Sequence, residues 1–237
     1  MKIGYLITIG LLAALLLSGG CNVSVNDDVI IPAGSEDSSG ATSVNGDIVV
    51  GEDATSDGAV KSVNGSITVE DGAIVRDIAS VNGRISVGER AQTGSIEGVN
   101  SSTDCEQNAR IGGDIKLVNG AVKVKTGATI AGNVKTVNGP IRLVGATVEG
   151  NVGNYNGGIV ITDDSVVKGN VVVSRPRGQD LDETPVVIIG PGSAVLGKMR
   201  FDRPVKLYIH ELAKVDTDSI DGAEPISFSG TELPEDG

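Results

Sequence analysis

The chain has 237 residues, a formal net charge of −12, 2% aromatic residues with no Trp, and two cysteines, Cys21 and Cys105. An acidic surface argues against nucleic acid as a partner and against electrostatic docking on anionic lipid. So few aromatics remove the usual platform for sugar stacking and the usual anchors of tight protein interfaces.

Residues 1–20 form a separate object. Lys2 supplies a positive start, Ile7 to Leu17 is an apolar run too short to span a bilayer comfortably, and Ser18, Gly19 and Gly20 are small. This is the pattern of an export signal. Because the small residues lead directly to Cys21, the segment resembles a bacterial lipoprotein signal with the lipobox Leu17-Ser18-Gly19-Gly20-Cys21, although Ser18 stands where that motif usually has leucine. The resemblance implies that Cys21 is acylated, becomes the mature N-terminus and ties the chain to a membrane. Two or three acyl chains suffice for stable anchoring. Asn22 is not the Asp that retains enterobacterial lipoproteins at the inner membrane, so a Gram-negative host implies an outer-membrane address, on the periplasmic or surface face. Residues 21–40 are polar and acidic, and read as a flexible tether.

From residue 41 the chain repeats. An apolar residue followed by Asn, usually then Gly, begins at Val44, Val63, Val81, Val99, Val118, Val137 and Tyr155. The asparagines Asn45, Asn64, Asn82, Asn100, Asn119, Asn138 and Asn156 are 18 or 19 residues apart. A fixed period in this range marks a repeat architecture. Within a unit, apolar residues alternate as in half-buried strands, and Gly, Asn and acidic residues fill the turns.

Stacking the units aligns Ile48, Ile67, Ile85, Val122, Ile141 and Ile159 in one column, and Val50, Val69, Val87, Val124, Leu143 and Ile161 in the next. A third column holds Ala54, Ala73, Ala91, Ala109, Ala128, Ala146 and Ser165. Such columns predict an all-β, single-domain parallel β-helix over residues 41–217. With two worn coils near Ile188–Leu196 and Val205–Val215, the count is about nine coils. At the usual strand spacing these give a rod of roughly 43 Å. Residues 174–185 lack alternation and are expected to project as an insertion loop. Residues 218–237 are expected to form a cap and tail, with Phe201, Tyr208 and Phe228 gathered at that end. A covered C-terminal end and an open N-terminal edge predict self-association through the solenoid ends, as head-to-head dimers.

Candidate chemistry is sparse. The Asn column is expected to serve turns and a hydrogen-bonded ladder, since Asn tolerates left-handed backbone and stacked amides bond to one another. Acidic turns at Glu52-Asp53, Glu70-Asp71 and Asp163-Asp164, with Asp180 and Asp182, lack the Gly-Gly-x-Gly-x-Asp calcium pattern and read as solvated carboxylates. Asp163-Asp164 with Lys168 is the one grouping that could be drawn as a hydrolytic site. His210 is the only histidine and lies in the last coil. Cys105 aligns with Val87 and Val124, which makes it a buried hydrophobe. Its coil lacks the usual Gly and Ile and is expected to be the weakest. If Cys21 carries lipid, no disulfide forms within the mature chain. No catalytic residue, metal site or cofactor is expected. Segments such as Val87-Gly88-Glu89-Arg90-Ala91-Gln92 match the hexapeptide repeat of left-handed β-helix acyltransferases, but only once per coil and without a mid-helix His.

The Val-Asn-Gly-x-Ile-x-Val units from Ser43 to about Val173 resemble those of the bactofilins, bacterial polymer-forming proteins, and of a related adhesin-like β-solenoid family. The resemblance implies a right-handed solenoid and brings no catalytic residues. Bactofilins are cytoplasmic, whereas this chain carries an export signal. The reading is a non-enzymatic, membrane-anchored β-solenoid lipoprotein of the cell envelope that acts as a scaffold or interaction surface for an envelope partner. The alternatives are an adhesin-like binder using the 174–185 loop, and a β-helix enzyme acting on glycans.

Overall fold

The computed structural model describes residues 22–175, 183–230 and 232–234. The signal segment and Cys21, and Asp180 and Asp182 of the insertion, lie outside the described residues.

Short strands pair only in parallel, each with the strand one repeat away. This is the parallel β-solenoid that the column pattern predicts. Each coil runs over three faces. The first face carries strands such as Val134–Asn138, the second strands such as Ile141–Val144, and the third two-residue strands such as Thr147–Val148. Eleven coils stack in register, spanning about 48 Å from first to last.

Two coils beyond the expected nine come from the ends. Residues 22–40 are not a tether. Asn22–Ser24, Val29–Ile31 and Glu36–Asp37 pair with the second coil, placing Val29 on Ile48 and Ile31 on Val50. Three strands with two inward apolar residues satisfy the backbone, whatever the acidity of the turns between them. At the other end Ile220–Asp221 and Pro225–Phe228 add an eleventh coil on Met199–Phe201 and Lys206–His210. Pro225 stands first in an edge strand, where its missing N–H costs least.

The core is a set of one-residue columns. Ile48, Ile67, Ile85, Thr103, Val122, Ile141 and Ile159 are consecutive partners, as are Val50, Val69, Val87, Cys105, Val124, Leu143 and Ile161. All are buried. The Ala column turns the chain from the second face to the third. Ala54, Ala73, Ala91, Ala109 and Ala128 each donate their N–H three residues back, and only serine, at Ser165 and Ser193, replaces alanine among the buried residues of that column. On the first face, Leu117 fills the space beside Gly98, where an added Cβ would lie 2.8 Å from Leu117 Cδ2. The insertion opens the ninth coil between Val171–Val173 and Val186–Ile189, at the corner where other coils carry Val-Asn-Gly.

Candidate functional surfaces

The asparagine column is a continuous side-chain ladder. Nδ2 of Asn64, Asn82, Asn100, Asn119, Asn138 and Asn156 each donates to Oδ1 of the preceding asparagine, at 3.0, 2.9, 2.9, 2.8, 2.7 and 2.7 Å. Asn45 extends the ladder to Asn26 at 2.9 Å, an eighth member in the coil that was expected to be a tether. None of these asparagines has left-handed backbone. Left-handed backbone is not what these asparagines supply: Asn64, Asn119 and Asn138 end strands, Asn82 and Asn100 lie within strands, and the positive φ belongs to the following glycine in four coils, among them Gly139 with φ 145°. A Cβ there would also collide with the Gly120 carbonyl oxygen of the coil before. The left-handed turns lie elsewhere, at Asp53, Arg90, Asn108, Asp163 and Asp164.

The ladder ends on a cation. Arg203, 8% exposed, donates from Nη1 to the Asn156 Oδ1 and the Tyr155 carbonyl, both at 3.0 Å, and from Nη2 to the Glu183 carbonyl. Burial pulls its pKa down, and Arg175 adds to that. The guanidinium thereby fastens the exit of the insertion to the end of the asparagine column.

A second ladder escaped the sequence reading. Oδ1 of Asp114, Asn133, Asn151 and Asn170 accepts the backbone N–H of Asn133, Asn151, Asn170 and Lys198, at 2.7, 2.9, 2.8 and 2.8 Å. Asp77 does the same for Ser95 at 2.7 Å. The signal was there in the 18- and 19-residue spacing, but the column mixes Asp, Ser and Asn and so shows no single letter. The Asn133 N–H, helped by the Lys116 ammonium at 2.6 Å, holds the Asp114 carboxyl down at about 2.

The acidic turns serve the stack in the same way. Glu70 Oε2 accepts from the Glu52 N–H at 3.0 Å, and Asp71 Oδ1 from the Glu89 N–H at 2.7 Å. Among the described residues no three His, Cys, Asp or Glu side chains gather as a metal site. Asp163, Asp164 and Lys168 are not brought together: Lys168 pairs with Glu149 at 2.9 Å, and Asp163 accepts from Thr162. His210 is buried in the tenth coil. Its Nδ1 accepts the Leu212 N–H, its Nε2 meets the Gly230 carbonyl at 3.0 Å, and its ring packs edge-on against Phe228. Cys105 is 1% exposed between Val87 and Val124, and burial, with Asp104 and Glu106 adding, pushes its thiol up to about 12. A thiol so protonated is inert.

No family model, curated protein or solved structure matches this chain.

The described surface carries a pronounced depression. It is a trough of about 800 Å³ along the first face, beside the second ladder and above Val134, Val152 and Met199. Among the described residues no helix is long and apolar enough to cross a membrane.

Proposed function

We propose that this chain is a non-enzymatic, lipid-anchored β-solenoid of the cell envelope, acting as a scaffold or interaction surface. The observation that carries this reading is how near the stack comes to the lipobox: the first described strand, Asn22–Ser24, directly follows Cys21. An acyl group on Cys21 would therefore hold the first coil at the bilayer with no slack, and the remaining ten coils would stand as a rigid arm. Residues 22–77 carry eleven acidic side chains against two basic ones, so the anchored end is repelled from anionic headgroups and the arm is directed away from them.

The polar side chains that recur along the outside are engaged in holding coils together rather than grouped around a reacting centre, which favours binding over catalysis. The edge of the first coil, with Val23 and Ile30 64% and 65% exposed, is the surface for self-association when the chain is free of membrane. A second reading, an adhesin-like binder, draws on the Arg203 clasp, which fixes one base of the insertion.

The test is crosslinking of the chain in its own envelope, followed by fractionation. The wild-type chain should remain with membranes and capture the same envelope components repeatedly. The Cys21→Ser chain should appear in the soluble fraction without them. Capture unchanged by Cys21→Ser would overturn the anchored reading.

A further inference from the structure

We propose that the trough on the first face is a binding site for a short anionic oligomer that carries hydroxyls along its length, recognised by charge and hydrogen bonding rather than by stacking. The proposal deepens the interaction-surface reading and rests on it. One outward position recurs down this face, and in register it runs Lys116, Lys135, Gly153, Val172, Arg200. Gly153 and Val172 make a floor between Lys135 and Arg200, which stays exposed though it pairs with Asp202 at 3.2 Å, and the two cations stand three coils apart, about 14 Å.

The long wall of the trough is the second ladder. Lys198 follows Asn170 there and adds a further cation. Among the described residues neither Lys135 nor Lys198 has a carboxylate within ion-pair distance. Lys135 instead sits 5.1 Å above the Tyr155 ring. The Lys198 N–H donates to Asn170 Oδ1, and no described residue accepts from the Asn170 amide NH2. The trough is therefore rich in donors. Its carboxylates, Asp218 and Asp221, stand at its C-terminal end, and the buried Asn154 Oδ1, unpartnered among the described residues, is a further acceptor in its lining.

Donors of both kinds match a ligand with hydroxyls along its length and a few anionic groups. The chain's own charge of −12 rejects a long, densely charged polymer, which would overrun the trough onto acidic coils. Nucleic acid would also need aromatic faces for its bases, and the only ring close by, Tyr155, is covered by Lys135. The anionic group is a carboxylate or a phosphate, since lysine accepts either as a point charge.

The test is calorimetry on the full chain in detergent, at low and moderate salt. The probes are trigalacturonate, a glycerol-phosphate trimer, maltotriose and a short oligothymidylate. Binding of either acidic trimer, weakened by salt and absent for maltotriose, is the expected result, and the tighter of the two names the anion. Lys135→Glu with Lys198→Glu should weaken it about tenfold or more. Lys61→Glu, at the same outward position four coils away from Lys135 and outside the trough, should leave it unchanged, and melting midpoints would show that all variants fold. Equal binding of maltotriose or of oligothymidylate, no binding of either acidic trimer, or no loss in the double variant would overturn the proposal. None of these results would bear on whether Cys21 anchors the chain, so the two readings fail separately.

Discussion

Thr103→Val should stabilise this protein. Thr103 holds the place in the fifth coil that isoleucine or valine holds above and below, paired to Ile85 and Val122. It is fully buried, and its Oγ1 has no hydrogen-bond partner. An unmet buried hydroxyl costs about 1–3 kcal/mol, and valine has nearly the same shape without that cost. Allowing for imperfect repacking, the gain should be about 1–2 kcal/mol, which for a chain of this size raises the melting midpoint by roughly 2–8 °C. Because neighbouring coils carry a solenoid's cooperativity, mending a weak middle coil should also sharpen the transition. Urea unfolding of the full chain, with the m-value monitored, measures it. Ser62→Ala is the contrast, since Ser62 Oγ donates to the Gly65 carbonyl at 3.0 Å, and its loss should cost about 1 kcal/mol. A fall in stability for Thr103→Val, or equal shifts for both variants, would refute the reasoning.

Val87→Asp should cost several kcal/mol because it places a charge in the closed Val column, whereas Glu89→Lys, which loses only an exposed contact to Arg90, should stay within about 0.5 kcal/mol; thermal unfolding separates them. Asn100→Ala should cost about 1–2 kcal/mol, because it removes an amide that donates to Asn82 and accepts from Asn119; urea midpoints read it. Asp114 sets a pH dependence. Its folded pKa of about 2 lies below the ordinary value of 3.8, so its contribution is complete above pH 4 and is lost as pH falls from there towards 2. Asp114→Asn should flatten the stability profile in that window and leave it unchanged near neutrality in shape.

What was legible in the sequence was whatever repeated as a single letter. The Ile, Val and Ala columns and the seven asparagines all stand where the spacing put them, because each inward position of a coil accepts only a narrow range of sizes. The first coil was hidden because Asn26 is followed by Asp27 rather than Gly, and because Asp27, Asp28, Glu36 and Asp37 crowd its short apolar runs. Its strand pairing comes from backbone, which composition does not report. The second ladder was hidden by chemistry that is shared across letters: Asp and Asn oxygens accept the same N–H, and Ser95 interrupts the column. The trough could not be read at all, since Lys135 and Arg200 are 65 residues apart and meet only through the stacking of coils. Arg203 gave no signal either, because its partners are two carbonyls and an amide brought together at the insertion.

The central claim is that this rod is held to a membrane through Cys21. The mass of the mature N-terminal peptide, from chain extracted out of native membranes, tests it most directly. The account predicts a peptide that begins at Cys21 and carries the added mass of acyl chains, with membrane association lost in Cys21→Ser. An unmodified peptide that begins at any other residue would contradict it.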